Sequence, residues 1–280
     1  MPELLVLVAL LGVFDAPVEC TNCEEWNRPQ EPFNVFGNTW YVGTGGLGAV
    51  LVATDEGLAL FDGGLPQSAE VIANNIQSLG FDLTDIRIIG LSHAHYDHAG
   101  GIAALQRLSG ADVFAGEDAA EALRHGALQT DDPQYSADAP VQDFPAVADA
   151  VGVADGWQYV LGATTITAIA TPGHTLGGTS WTWETCEAER CLTVVYLDSL
   201  SAVSRPGYRY SDGLGAVLAE TLRRVELLDC DILLSTHDFT FAMHEKLQAG
   251  KVAFVDPGAC RALALKTSTY LQKRFKAEQP

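Results

Sequence analysis

The sequence predicts an α/β protein built from two packed β-sheets with helices on the outside. Short β runs alternate with amphipathic helices in both halves of the 280-residue chain, the pattern that lays helices over sheet faces. No Pro/Gly/Ser-rich linker or compositional seam divides it, and no repeat recurs at periods of ~20–50 residues. Its 48% hydrophobic and 19% charged residues are those of a globular chain and exclude disordered, collagen-like and coiled-coil classes.

The elements follow in order. Asn38–Gly43 and Ala49–Phe61 read as strands, rich in Val, Leu, Trp and Tyr and joined through glycines. Gln67–Leu79 carries Val71, Ile72, Ile76 and Leu79 at helical spacing and stops at Gly80. Asp85–Ser92 reads as a buried strand, Gly101–Leu108 as a helix, Asp112–Ala115 as a strand and Glu117–Arg124 as a helix. Residues 126–156 are polar and contain three prolines, which predicts a long loop, a feature often functional in compact domains. Strands return at Trp157–Leu161, Thr164–Ala170, Thr179–Trp183 and Cys191–Leu197. Asp212–Leu228 reads as a helix and Asp231–Ser235 as a strand, with helices at Phe241–Ala249 and Gly258–Lys276.

Charge excludes two classes of partner. Lys+Arg total 16 against 36 Asp+Glu, a net charge of −20, and all five lysines lie beyond residue 240. Phosphate neutralisation on nucleic acid and docking on anionic membranes are therefore not expected. Leu4–Phe14 is an unbroken apolar run of eleven residues. That is short for a membrane span of ~20 residues and right for a secretory core of ~7–15. Residues 1–19 therefore read as a signal peptide, although Met-Pro-Glu supplies no basic start, and residues 20–280 as a single exported domain. Six cysteines fit an oxidising compartment. Cys186 and Cys191 flank a short turn as a hairpin staple. A Cys230–Cys260 bridge closing about 30 residues would contribute roughly 3–4 kcal/mol. Cys20 and Cys23 either pair or stay free.

Several motifs mislead. Gly43-Thr-Gly45-Gly46-Leu-Gly48 matches the dinucleotide fingerprint by letter, but a β-branched run follows where a helix must open. No GxSxG or SxxK nucleophile motif occurs. His244-Glu245 starts an HExxH pattern that Gln248 ends. His125 and His244 read as surface residues on helices.

The informative segment is Ser92-His-Ala-His-Tyr-Asp-His-Ala-Gly-Gly. Three of the seven histidines cluster here, directly after a buried strand. Residues two apart on extended chain point the same way, so His93 and His95 can grip one metal. Asp97 and His98 can face a second. Imidazole with carboxylate suits zinc. His174, in Thr171-Pro-Gly-His-Thr, and His237, in Leu234-Ser-Thr-His-Asp, end strands and are further candidates.

These motifs resemble the metallo-β-lactamase superfamily, and within it the class B, subclass 3 enzymes. The likeness runs along nearly the whole chain, through Gly37-Asn-Thr-Trp-Tyr-Val-Gly-Thr, Leu60-Phe-Asp-Gly-Gly, the histidine segment, Thr171 to Trp183, and Tyr196-Leu-Asp-Ser-Leu-Ser. It implies an αββα sandwich, with two mixed sheets flanked by helices, and two zinc ions. His93, His95 and His174 would hold the first ion, and Asp97, His98 and His237 the second. Asp97 would orient a zinc-activated hydroxide that attacks the β-lactam amide of penicillins, cephalosporins and carbapenems. Asp62 matches a buried supporting carboxylate, and Ser199 and Ser201 match hydroxyls that hold the substrate carboxylate. Gln134, in the long loop beside Tyr135, is a candidate for one pocket wall. The implied protein is a periplasmic monomer conferring antibiotic resistance, with no nucleic-acid or membrane partner after processing. A glyoxalase-type thioesterase or an acyl-homoserine lactonase on the same fold would instead need Asp198 as a bridging ligand. Asp198 and Ser199 point to opposite sides of a strand, so only one can face the metals. An alternative of another class is a periplasmic zinc-binding protein without turnover.

Overall fold

Alternation along two adjacent strands divides their side chains between two cores. Val50, Val52, Ala59 and Phe61 face one, while Leu51, Leu58 and Leu60 face the other. Strands apolar on both faces belong to a sheet covered on both sides. A computed structural model describes residues 12–139 and 142–279; most of the expected signal peptide, residues 1–11, lies outside them.

The first sheet has seven strands in chain order: β1 (Phe33–Phe36), β2 (Thr39–Tyr41), β3 (Val50–Thr54), β4 (Gly57–Phe61), β5 (Ile86–Gly90), β6 (Asp112–Gly116) and β7 (Val151–Val153). β1 to β4 pair antiparallel, and β4 to β7 parallel. The second sheet has five: β8 (Gln158–Leu161), β9 (Thr164–Ala170), β10 (Thr179–Glu187), β11 (Arg190–Leu197) and β12 (Ile232–Ser235). All its pairs are antiparallel except β11 with β12. Crossovers in the parallel parts are helical, as parallel pairing requires.

Among the helices are α1 (Cys23–Trp26), α2 (Ser68–Ser78), α3 (Tyr96–Ala99), α4 (Ile102–Ser109) and α5 (Glu117–His125). They continue with α6 (Gly215–Glu226), α7 (Met243–Ala249) and α8 (Ala259–Ala277). Ile72 and Ile76 of α2, Leu105 of α4 and Leu123 of α5 pack in one core with Leu51 and Leu60 of the first sheet. Leu218 and Leu222 of α6 and Leu271 of α8 belong to the core of the second sheet, with Trp181, Val194 and Ile232. Phe61 stacks on Trp183 at 5.0 Å where the two sheets meet. The four-layer αββα sandwich is thus the architecture.

The expected elements recur with specific differences. Ala49–Phe61 is not one strand but a hairpin, because Thr54 Oγ1 accepts from Glu56 N and donates to Gly57 O, closing a turn inside the apolar run. The 126–156 loop ends in the short edge strand β7. β1 and α1 are additional, and the helix expected from Asp212 begins at Gly215. The Gly43–Gly48 segment is a loop between β2 and β3, with no helix after it. Gly48 N donates to Thr236 O at 2.7 Å, so these glycines bring one sheet against the strand end of the other.

Three disulfides are formed: Cys20–Cys23, Cys186–Cys191 and Cys230–Cys260. The second staples the β10–β11 hairpin at the facing pair Cys186–Cys191. The third ties α8 to the segment entering β12. Replacing Cys230 and Cys260 together by Ala is expected to cost about 3–4 kcal/mol through loop-closure entropy. Urea titration checks this; an unchanged midpoint in the double variant would count against it.

Candidate metal centre

All six expected donor residues follow the C-terminal ends of strands. β5 is followed by His93 and His95, and α3, which comes next, carries Asp97 and His98. β9 leads into Thr171-Pro-Gly-His, where Gly173 adopts φ +138° and a Cβ would fall 2.6 Å from Leu218. That turn, open only to glycine, delivers His174. β12 ends just before His237.

The structure brings these side chains into two groups. Donor atoms of His93, His95 and His174 lie within 4.8 Å of one another, and so do those of Asp97, His98 and His237. Five of the six are buried. His93 Nε2, both ring nitrogens of His98 and His237 Nδ1 are buried with no hydrogen-bond partner among the described residues. Leaving such groups unpaired costs free energy, and a cation bound by these nitrogens offsets that cost. The donor set therefore fits zinc.

Each ring of the first group is fixed from behind. His93 Nδ1 lies 2.7 Å from Asp198 Oδ1. His95 Nε2 lies 3.2 and 3.3 Å from the carboxylate oxygens of buried Asp132. His174 Nδ1 lies 2.9 Å from the carbonyl oxygen of Ser201 and 3.1 Å from its hydroxyl. Such partners set the tautomer and turn the other nitrogen inward. Asp198 is thus spent behind His93, and Gly178 makes room for it: a Cβ there would meet Asp198 Oδ2 at 2.4 Å. Ser199 faces the cavity instead, with its hydroxyl 2.9 Å from Thr236 Oγ1.

Asp62 supports the second group. Its carboxylate accepts from Ser92 N, Ser92 Oγ and Tyr196 OH, each at 2.7 Å, and lies 3.7 Å from His98 Nδ1. The backbone there is left-handed, φ +60°. Asp97 Oδ2 stands 3.2 Å from His98 Nε2 and 3.6 Å from His237 Nε2.

Burial governs the protonation of the rings. It holds His174 down to about 3 and His237 down to about 4, and His93 well below its usual value. Burial also disfavours charge on His98, but facing Asp97 and Asp62 outweigh it and raise that pKa. Burial pushes Asp97 up, yet His98, His237 and His95 outweigh it and keep the carboxyl well below the usual range. Three neutral imidazoles and an ionised carboxylate are the forms a metal takes up without displacing protons.

Both groups line a cavity of about 910 Å³. Ser199, Ser201 and Gln134 also line it, with Trp26, Phe239 and Lys266. Asp132 and Lys266 escaped the sequence reading. Asp132 is one of several aspartates in the polar loop, and Lys266 lies far along the chain on α8. His125 bonds within its helix, to Glu121 O. His244 pairs with Asp238 at 3.2 Å, outside both groups.

Fold and paired donor groups together define a metallohydrolase. A family model described as the metallo-beta-lactamase superfamily matches residues 44–187. The solved structure of the Rm3 metallo-beta-lactamase is 45% identical, with TM-score 0.89, covering 94% of this chain and 100% of that one. MEM-A1, a subclass B3 metallo-beta-lactamase from a soil metagenome library, is 45% identical with TM-score 0.86, covering 90% and 98%. SMB-1, solved with 2-mercaptoethanesulfonate, is 43% identical with TM-score 0.87, covering 91% and 99%. The chain belongs to the metallo-beta-lactamase superfamily.

One outcome follows from the geometry. Asp62→Ala leaves the buried Ser92 N–H without its acceptor and removes the shared acceptor of the Ser92 and Tyr196 hydroxyls, and is expected to destabilise the fold by about 3 kcal/mol; chemical denaturation measures it.

Proposed function

We propose that the protein hydrolyses the amide bond of β-lactams, namely penicillins, cephalosporins and carbapenems, with two zinc ions, and so confers resistance after export to the periplasm. The observation that carries this reading is the convergence of both donor groups on one cavity walled by Ser199 and Ser201. Zinc supplies a Lewis acid for the carbonyl and lowers the pKa of water from ~15.7 to ~7, giving a nucleophile at neutral pH. His93, His95 and His174 would hold the first ion, and Asp97, His98 and His237 the second. The ionised Asp97 accepts a hydrogen bond from the attacking water and so orients it. The Ser199 hydroxyl has another hydroxyl, not a base, as its partner, which suits it to hold the substrate carboxylate rather than to attack. Ser201 positions His174 and stands beside Ser199 on the wall.

Thioesterase and lactonase chemistry would need Asp198 on the metal side. Its carboxylate lies behind the His93 ring, which favours the β-lactam reading. SMB-1 has been solved with mercaptoacetic acid as well as 2-mercaptoethanesulfonate, small thiol-bearing anions. A cavity joining metal donors to hydroxyl anchors matches such molecules.

The test is turnover by purified protein of a carbapenem, a chromogenic cephalosporin, a glutathione thioester and an acyl-homoserine lactone, with zinc and after chelation. Chelator-sensitive β-lactam turnover with the other two flat is the expected result. Turnover of thioester or lactone alone would overturn the reading, and zinc binding without any turnover would make the chain a zinc-binding protein.

A further inference from the structure

We propose that Arg274 of α8 is a positioning residue for the three-histidine group, acting through the chain segment that carries Ser201. This rests on the reading of His93, His95 and His174 as a metal site, and carries its support out to the last helix. Residues 198–209, between β11 and the short helical turn Tyr210–Asp212, belong to neither strand nor helix. A carbonyl away from both ladder and water needs another donor. Here consecutive carbonyls meet side chains. Ser201 O lies 2.9 Å from His174 Nδ1, Ala202 O accepts from Arg274 Nη1 at 2.6 Å, and Val203 O accepts from Tyr210 OH at 3.2 Å. The carbonyl that orients a donor ring is thus next in line to the one that Arg274 holds.

A guanidinium presents its donors in a fixed planar fork, so one Arg can set several acceptors at once. Besides Ala202 O, Arg274 donates from Nη2 to Ser204 Oγ at 2.8 Å and to Tyr208 O at 3.1 Å. Its Nε donates to Glu278 Oε1 at 2.7 Å, one helical turn on, and its guanidinium lies 4.9 Å from the centre of the Tyr210 ring. Glu278 in turn accepts from Tyr210 N at 3.1 Å and Ser211 N at 2.7 Å. The pair therefore grips both ends of the stretch from Ala202 to Ser211.

Ser201 sits between two anchors. Upstream, the Ser199 hydroxyl lies 2.9 Å from Thr236 Oγ1; downstream, Ala202 is held by Arg274. With both fixed, the Ser201 carbonyl and hydroxyl keep their place behind His174, and the other ring nitrogen is turned toward the ion. The same segment reaches a second brace. Arg205 N donates to Pro133 O at 2.9 Å, next to the Asp132 that stands behind His95. The second group differs: among the described residues, none of Asp97, His98 and His237 hydrogen-bonds to the stretch 199–208. Arg274 also lines the cavity, but its donors are committed to the chain rather than to a ligand.

Cobalt(II) is the probe, because its visible bands distinguish a three-imidazole site from a mixed carboxylate site without any need for turnover. Wild type, Arg274→Lys and Ile76→Ala are titrated stepwise, with circular dichroism confirming the fold of each. Arg274→Lys keeps the charge but not the planar fork. It is expected to weaken binding at the three-histidine group about tenfold, while the other group keeps its affinity. Ile76→Ala opens a void in the other core, away from residues 198–209, and is expected to bind both ions as wild type does. Should Arg274→Lys fail to fold, Glu278→Ala takes its place, with a smaller loss at the same group. Wild-type affinity in the variant that folds, or an equal loss at both groups or in Ile76→Ala, would overturn the proposal. A selective loss, in a protein whose wild type turns over no β-lactam, would support the positioning role and sink only the proposed reaction. A wild type that binds no cobalt would overturn both.

Discussion

The carboxylate of Asp62 is the constraint on which the centre depends. It is wholly buried, which raises its pKa, and nearby His98, the Ser92 hydrogen bonds and the Tyr196 hydroxyl act against that rise. Ser92 begins the histidine segment, so its backbone and side-chain bonds to Asp62 set where that segment leaves β5. Tyr196 comes from the other sheet, and its hydroxyl also lies 3.1 Å from Gly48 O. One carboxyl group thus aligns three separate stretches of chain. The left-handed backbone at Asp62 is strain held in place by those three bonds.

Behind the donor rings, polar partners come from elements distant in sequence. Asp198 follows β11, Asp132 lies in the long loop, and the Ser201 carbonyl lies beyond Asp198. These choose which nitrogen of His93, His95 and His174 points inward. The inward groups are left short of hydrogen bonds, a cost the fold sustains through its two apolar cores. The buried carboxylates and imidazoles lie at strand ends and in loops, where irregular chain can supply partners that a strand interior cannot.

Much of this was legible in the sequence for reasons of locality. His93, His95, Asp97 and His98 lie within six residues after an apolar strand, and a turn ending in His174 is marked by its own Pro-Gly. The choice between Asp198 and Ser199 was open, because strand alternation says that one faces inward but not which. Contact with His93 decided it. Asp132 could not be read, since its partner His95 is 37 residues away and other aspartates stand near it. The β3–β4 turn was hidden inside a continuous apolar run, and β1 and α1 are too short for periodicity to register. Lys266 reaches the cavity wall only because α8 folds back across the second sheet.

Each donor group draws two residues from the end of the first sheet and one from the second. His174 and His237 belong to one half of the sandwich, and their companions to the other. An ion seated in either group would therefore rivet the two halves together at their strand ends. Occupancy would then count as cohesion as well as chemistry, by the mass action of any ligand that binds only the folded state. Withdrawing the metal from such a protein would loosen the join between its halves as well as empty its cavity.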